Sequence, residues 1–338
     1  MLYQIGREQL SGVPARVMEH PVKLGEQMAE TNRGMIGRTR ASRPAALLAP
    51  LPVMLAMLVT PPVPAQAQDQ PSSQNHVLAI GICPPWHTQS LEVCRHSLEK
   101  VMTSLAPRLD ADPANRHVLV NEGASAHALK LKATELANTL GPRDRLVIYA
   151  NLPLGLTDTA SADSASSYAL ELWAEAKPET TVQAISDGTW MSASAFAALV
   201  HAIPAGEVVL VLDTNNPHAV DIGLLESHSV DHKDRPEALV ISSGPGQAAN
   251  YSADRTISLF AKHFSIALEE TDGSLLDVMT VAAGGTRQAA IPICADLKGT
   301  LALSSGPQTE CAQVPEIHDP ETLLSRTMLI PISETDLN

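Results

Sequence analysis

No cysteine lies between Cys94 and Cys294, so the central stretch of the chain offers no thiolate to act as a nucleophile. No C-x-x-C occurs, and the histidines are not spaced with the cysteines as a structural zinc site requires. A Gly-x-Ser-x-Gly elbow is also missing, which removes the commonest serine-hydrolase reading. There is no P-loop and no G-x-G-x-x-G after a strand. Gly244-Pro245-Gly246 and Gly284-Gly285 imitate phosphate-cradling turns only superficially and read as turns or a helix C-cap. Basic residues are scarce: 23 Lys and Arg stand against 37 Asp and Glu, a net charge of −14. Such a surface repels polyphosphates, which excludes nucleic acid as a partner. No internal repeat is present, and no cofactor or metal is implied.

Long hydrophobic runs are also lacking. The apolar stretch from Ala45 to Val59 falls short of the ~20 residues of a spanning helix, and Pro50 and Pro52 interrupt it. Arg38, Arg40 and Arg43 precede it and Ala65-Gln66-Ala67 follows it, the layout of a secretory signal peptide with an Ala-x-Ala cleavage site. Residues 1–67 therefore read as a leader: 35–67 the signal peptide, starting at Met35, and 1–34 an upstream extension. The exported chain is expected to begin at Gln68, to reside in the periplasm or outside the cell, and to keep no stable membrane span. The leader is net basic, so the remainder is more acidic than the whole. All four cysteines, Cys83, Cys94, Cys294 and Cys311, lie in that remainder, where an oxidising compartment permits disulfides. Local pairs Cys83–Cys94 and Cys294–Cys311 are expected. The end of the first strand faces the start of the following helix, and a tail can fold back on the last strand.

After a polar linker at 68–75, apolar runs alternate with amphipathic stretches, the pattern of a parallel sheet covered by helices. Strands are expected at 76–82, 117–120, 146–150, 168–173, 207–213, 238–242 and 289–294, with 207–213 central. Helices are expected at 91–105, from Ser125 to about Thr139, and at 192–203, 258–269 and 274–283, with Ser125 a good N-cap. The segment 157–167 has the Ser, Ala and Asp composition of an inserted loop. The fold class is α/β, with about six strands in a mostly parallel sheet between helical layers. The domain is placed at 76–299, with an irregular tail at 300–338.

Two segments carry more than fold. Asp144 to Pro153 runs through Leu146-Val147-Ile148-Tyr149-Ala150-Asn151-Leu152, and Val208 to His218 runs through Leu212-Asp213-Thr214-Asn215-Asn216. They resemble the catalytic strands of caspase-like and metacaspase-like cysteine peptidases. The first strand of that family typically reads Asp, an apolar run, Tyr and Ser-Gly-His-Gly; the second reads an apolar run and Asp-Ala/Ser-Cys-His-Ser-Gly. Val77-Leu78-Ala79-Ile80-Gly81-Ile82 resembles the family's opening strand. Ser258-Leu259-Phe260-Ala261 resembles its turn into a helix, and Val240 to Ala249 its Ser-rich strand. The resemblance implies a three-layer caspase-like fold from about His76 to Cys294, with the catalytic histidine after the third strand and the cysteine after the fourth.

At those two positions this chain has Leu152 and Asn215. A carboxamide is no nucleophile, and an isobutyl group neither accepts nor donates a proton. His218 follows on the wrong loop for a base and has no thiol beside it. Asp213 survives; in arginine- or lysine-selective relatives the matching residue helps form the pocket for the basic side chain. The second acid expected near the first helix is missing, since Cys94, Arg95 and His96 lie there. The blander reading of Asp213 is a strand-end residue that hydrogen-bonds its own loop. Asp221, Glu226, His228, Asp231, His232 and Asp234 could gather a divalent cation, but their spacing fits no defined motif and a solvated loop is the simpler reading. Three functions stand open: an exported pseudopeptidase binding a protein or peptide partner, an active cysteine endopeptidase whose dyad lies elsewhere, and a doubly wound ligand-binding domain without peptidase ancestry.

Overall fold

The structure is a computed structural model that describes residues 73–86, 91–156, 168–215, 235–297 and 312–331. The segment 1–67 expected to be a leader, the segments 157–167 and 216–234, and Cys311 lie outside the described residues. In chain order the elements are β1 (Asn75–Gly81), α1 (Leu91–Arg108), β2 (Arg116–Val120), α2 (Ala126–Thr139), β3 (Arg145–Asn151), β4 (Leu154–Leu156), β5 (Tyr168–Leu170), α3 (Thr181–Ser186) and β6 (Met191–Ser192). There follow α4 (Ala193–His201), β7 (Glu207–Asp213), β8 (Glu237–Ile241), α5 (Leu259–Glu270), α6 (Leu275–Leu297), β9 (Glu316–His318) and α7 (Leu323–Arg326).

Six strands form the main sheet in the order β2-β1-β3-β7-β8-β9. All neighbours are parallel except β9, which runs antiparallel to β8. The continuous apolar runs follow from burial on both faces, because successive side chains point to opposite sides of a strand. Leu78, Ile80, Leu146, Ile148, Leu210 and Leu212 face one core with Leu136 of α2 and Phe196 and Val200 of α4. Val77, Ala79, Val147, Tyr149, Val209 and Val211 face the other, against Leu98 and Leu105 of α1, Phe260 and Phe264 of α5, and Val278 of α6. Each such aliphatic side chain contributes about 1.5–3 kcal/mol when fully buried. The result is the three-layer α/β/α arrangement expected on the caspase-like reading, with β3 and β7 at its centre. Among the described residues no helix is long and apolar enough to cross a membrane.

Serine hydroxyls start three helices: Ser125, the anticipated cap, and also Ser192 and Ser258 each accept the N–H three residues on, satisfying a backbone donor that the first turn leaves open. Gly206 permits a close passage, since a Cβ there would run into the Pro142 carbonyl.

Three expectations are corrected. Residues Ala289–Cys294 are not a strand but the last turns of α6. Ala282, Thr286, Ala290 and Cys294 are all buried, a four-residue spacing that keeps one helical face on the core and outweighs the β-branched look of Ile291 and Ile293. Gly284 and Gly285 fall inside the same helix rather than at a turn. Gly285 brings it so close to α5 that a Cβ would meet the His263 ring. The tail after residue 300 is not irregular throughout, for it supplies the sixth strand, β9, and α7. The segment near Tyr168 is a strand, but it pairs with β4 and β6 in a separate three-stranded sheet.

Candidate functional site

Parallel strands covered by helices open at their carboxyl ends, where the following loops diverge. β3 and β7 are neighbours there, with Asn151 opposite Asp213, so the two loops that carry Leu152 and Asn215 leave the sheet side by side. Leu152 is buried in the core shared with Leu154, Trp190 and Met191. Asn215 accepts the Leu154 N–H at its Oδ1 (3.3 Å) and donates its Nδ2 to the Leu154 carbonyl (3.3 Å). A side-chain amide used at both ends in this way stands in for a peptide unit, tethering the exit of β7 to β4. Leu152 is buried and Asn215 half-buried, and neither side chain can attack a carbonyl or shuttle a proton.

Asp213 turns inward. It is 2% exposed, and its Oδ2 accepts the Tyr149 hydroxyl at 2.7 Å and the Ser258 hydroxyl. Its Oδ1 is buried without a hydrogen-bond partner. Burial pushes its carboxyl pKa up, against the opposing pull of the hydrogen bonds from Ser258 and Tyr149. Burial, then the nearby carboxylate, also raises the Tyr149 phenol well above its ordinary value and pushes Tyr251 up to about 12. Ser258 performs two tasks with one oxygen, capping α5 through the Ala261 N–H (3.0 Å) and donating to Asp213.

The rest of the surround is neutral. Ser242 and Ser243, at the end of β8, clasp the peptide of Thr214: Ser242 Oγ accepts its N–H (3.0 Å) and Ser243 Oγ donates to its carbonyl (2.7 Å). Gln313, fully buried, donates to the Ser242 carbonyl (3.0 Å) and accepts the Asn250 N–H (2.8 Å). Gln247 accepts the Val314 N–H at 2.7 Å. The chain leading into β9 is thus fastened to the carboxyl end of β8. The expected Cys83–Cys94 disulfide is present, with Cα atoms 5.7 Å apart. Beside it Asn121, in the left-handed region at φ 44°, accepts the Cys83 N–H (3.0 Å) and donates to the Leu91 carbonyl (3.3 Å). Cys94 is therefore occupied, and His96 lies near the Thr256 carbonyl at 3.3 Å. Cys294 is also disulfide-bonded; its expected partner, Cys311, is outside the described residues.

His218 and the acidic, histidine-bearing loop through Asp234 lie outside the described residues. Among those described, no group of three or more metal-ligating side chains gathers. A concavity of about 360 Å³ lies at the opposite end of the sheet, lined by Asn75, Arg143, Arg145, Gly206 and Glu207 among others; Leu152, Asp213, Asn215, Cys83 and Cys94 are not among its lining residues. Sequence reasoning did not foresee the Tyr149–Asp213–Ser258 cluster or the anchoring by Gln313. A helix start at Ser258 was visible; its second bond was not.

No family model matches the chain, and no curated protein matches it. Solved structures similar to it include a structural-genomics protein from Geobacter sulfurreducens, 12% identical over 72% of this chain and 92% of that one, with a TM-score of 0.46. Caspase-1 from Spodoptera frugiperda is 11% identical over 76% of this chain and 91% of that one, with a TM-score of 0.39. At these levels no residue role passes from either protein to this chain.

Proposed function

We propose that the chain is an exported caspase-like pseudopeptidase that binds a protein or peptide partner without cleaving it. The observation that carries this reading is the state of the two positions after β3 and β7: Leu152 is core, and the Asn215 amide is committed to the Leu154 backbone. A peptidase of this type needs a thiolate and an imidazole there. The active-peptidase reading is further weakened by the cysteines, because among the described residues none is free. The Asp213 carboxylate is held by Tyr149 and Ser258, which favours a structural role over recognition of a basic side chain. A net charge of −14 steers basic rather than acidic partners toward the surface.

Export and inertness are tested separately. N-terminal sequencing of the protein from the periplasmic fraction is expected to begin at Gln68; an intact Met1 or Met35 on cytoplasmic protein overturns the leader. An activity-based thiol probe for cysteine peptidases is expected to leave the purified mature protein unlabelled, and stoichiometric labelling restores the active-enzyme reading.

A further inference from the structure

Two histidines at the far end of the sheet have no part in the reading above. His76 on β1 is 5% exposed, and neither of its ring nitrogens has a hydrogen-bond partner. Its ring is stacked on that of His117 in β2, with centroids 6.3 Å apart and planes within 6°. The register explains the meeting: His117 lies opposite Leu78, two residues along β1 from His76 and so on the same face. That face is the one covered by α2, and β2 is the edge strand.

We propose that His76 and His117 form an acid-sensitive latch that fastens β2 and its covering helix α2 to the sheet. With both rings neutral the stack buries apolar ring surface. A proton on His76 would place a cation where no acceptor meets either nitrogen and a second imidazole lies alongside. The surrounding charges do little to relieve this. Asp144, ahead of β3, favours a charged His76, but its two oxygens accept the N–H groups of Gln74 and Gly141 at 2.9 and 2.8 Å. On α2, Lys132 disfavours a charged His117 and Glu135 favours it, while those two residues pair with each other at 2.6 Å.

Burial is the largest cause holding both imidazoles below the usual value of 6.5. A base whose folded pKa is depressed binds protons better when unfolded, so its stabilisation is complete above the unfolded value. It is lost as pH falls from there through the folded values. The latch therefore weakens below about pH 6.5, a range in which carboxylates remain largely ionised.

Hydrogen exchange of the full mature chain tests this at about pH 7.5 and about pH 5.5, with rates corrected for intrinsic pH dependence. Amides of β2 and α2 are expected to lose about tenfold in protection for each unit of depressed pKa traversed, while those of β7 hold. His76→Phe, which keeps the ring but cannot titrate, is expected to reduce that loss to the share that His117 contributes. Equal loss of protection in wild type and His76→Phe overturns the proposal. Should that variant not fold, His117→Phe and an NMR titration of the wild-type rings decide: a His76 midpoint below 6.5 supports the latch, and one at or above it refutes it.

Discussion

At the carboxyl ends of β3, β7 and β8 the fastening groups are amides and hydroxyls around one buried carboxylate; at the amino ends of the same strands they are ions. Arg145 reaches Glu207 at 2.5 Å across the starts of β3 and β7. Arg235 meets Glu237 at 2.5 Å and donates to the Ile203 carbonyl at 2.8 Å. The two ends also respond oppositely to acid. The depressed imidazoles of His76 and His117 lose stability as pH falls below 6.5. Asp213, with its folded pKa raised above 3.8, binds a proton more tightly in the fold, so its contribution grows as pH falls through that raised value toward the unfolded one. The carboxyl end is thus a hydroxyl and amide network around a single buried acid, while ion pairs fasten the amino end.

The strongest way to break the carboxyl end is at Asp213. Asp213→Ala leaves the Tyr149 and Ser258 hydroxyls without their acceptor in the core, and a loss of about 3–4 kcal/mol in urea unfolding is expected. Asp213→Asn, which keeps an oxygen in place and adds no charge, is expected to lose less than half of that at neutral pH. Equal losses in the two would mean that hydroxyl satisfaction is not what the residue supplies. Next is the disulfide: Cys83→Ser with Cys94→Ser is expected to cost about 3 kcal/mol on the chain-entropy account, read as a lower urea midpoint that reductant does not shift further.

Gln313→Ala sharpens the comparison within the carboxyl end, since it removes bonds to both Ser242 and Asn250. About 2 kcal/mol is expected, together with faster exchange at β9 than at β3. The smallest effect belongs to the amino end. Arg145 and Glu207 keep side-chain exposures of 20% and 27%, so Arg145→Ala is expected to cost under about 1 kcal/mol, diminished further by salt. A large, salt-insensitive loss there would erase the distinction between the ends.

Most of the fold was legible because two-sided burial leaves unbroken apolar runs, as at 146–150 and 207–213, and serines mark the helix starts. The sixth strand was not. Glu316–His318 is three residues long and only half-buried, and its pairing with β8 rather than its composition makes it a strand. The end of α6 was misread because Ile291 and Ile293 flank Pro292, a local signal for strand or turn that tertiary packing of Ala282, Ala290 and Cys294 overrides. In the site, Leu152 and Asn215 were singled out by the resemblance to caspase-like strands, not by a local signal of their own. The company of Asp213 did not, because Tyr149 and Ser258 lie 64 and 45 residues away and only the fold brings them together. Gln313, 71 residues from Ser242, carried no local signal at all.

The most direct test of the central claim is cleavage of a peptide library, with Arg, Lys and Asp represented before the scissile bond, by the purified mature protein with and without a thiol-directed inhibitor. Loss of both nucleophile and base in such a site lowers turnover by about a millionfold, so no cleavage above the buffer blank is expected in either arm. Cleavage that the inhibitor abolishes would show a working thiolate, and the account of Leu152 and Asn215 as structural replacements for a catalytic pair would be wrong.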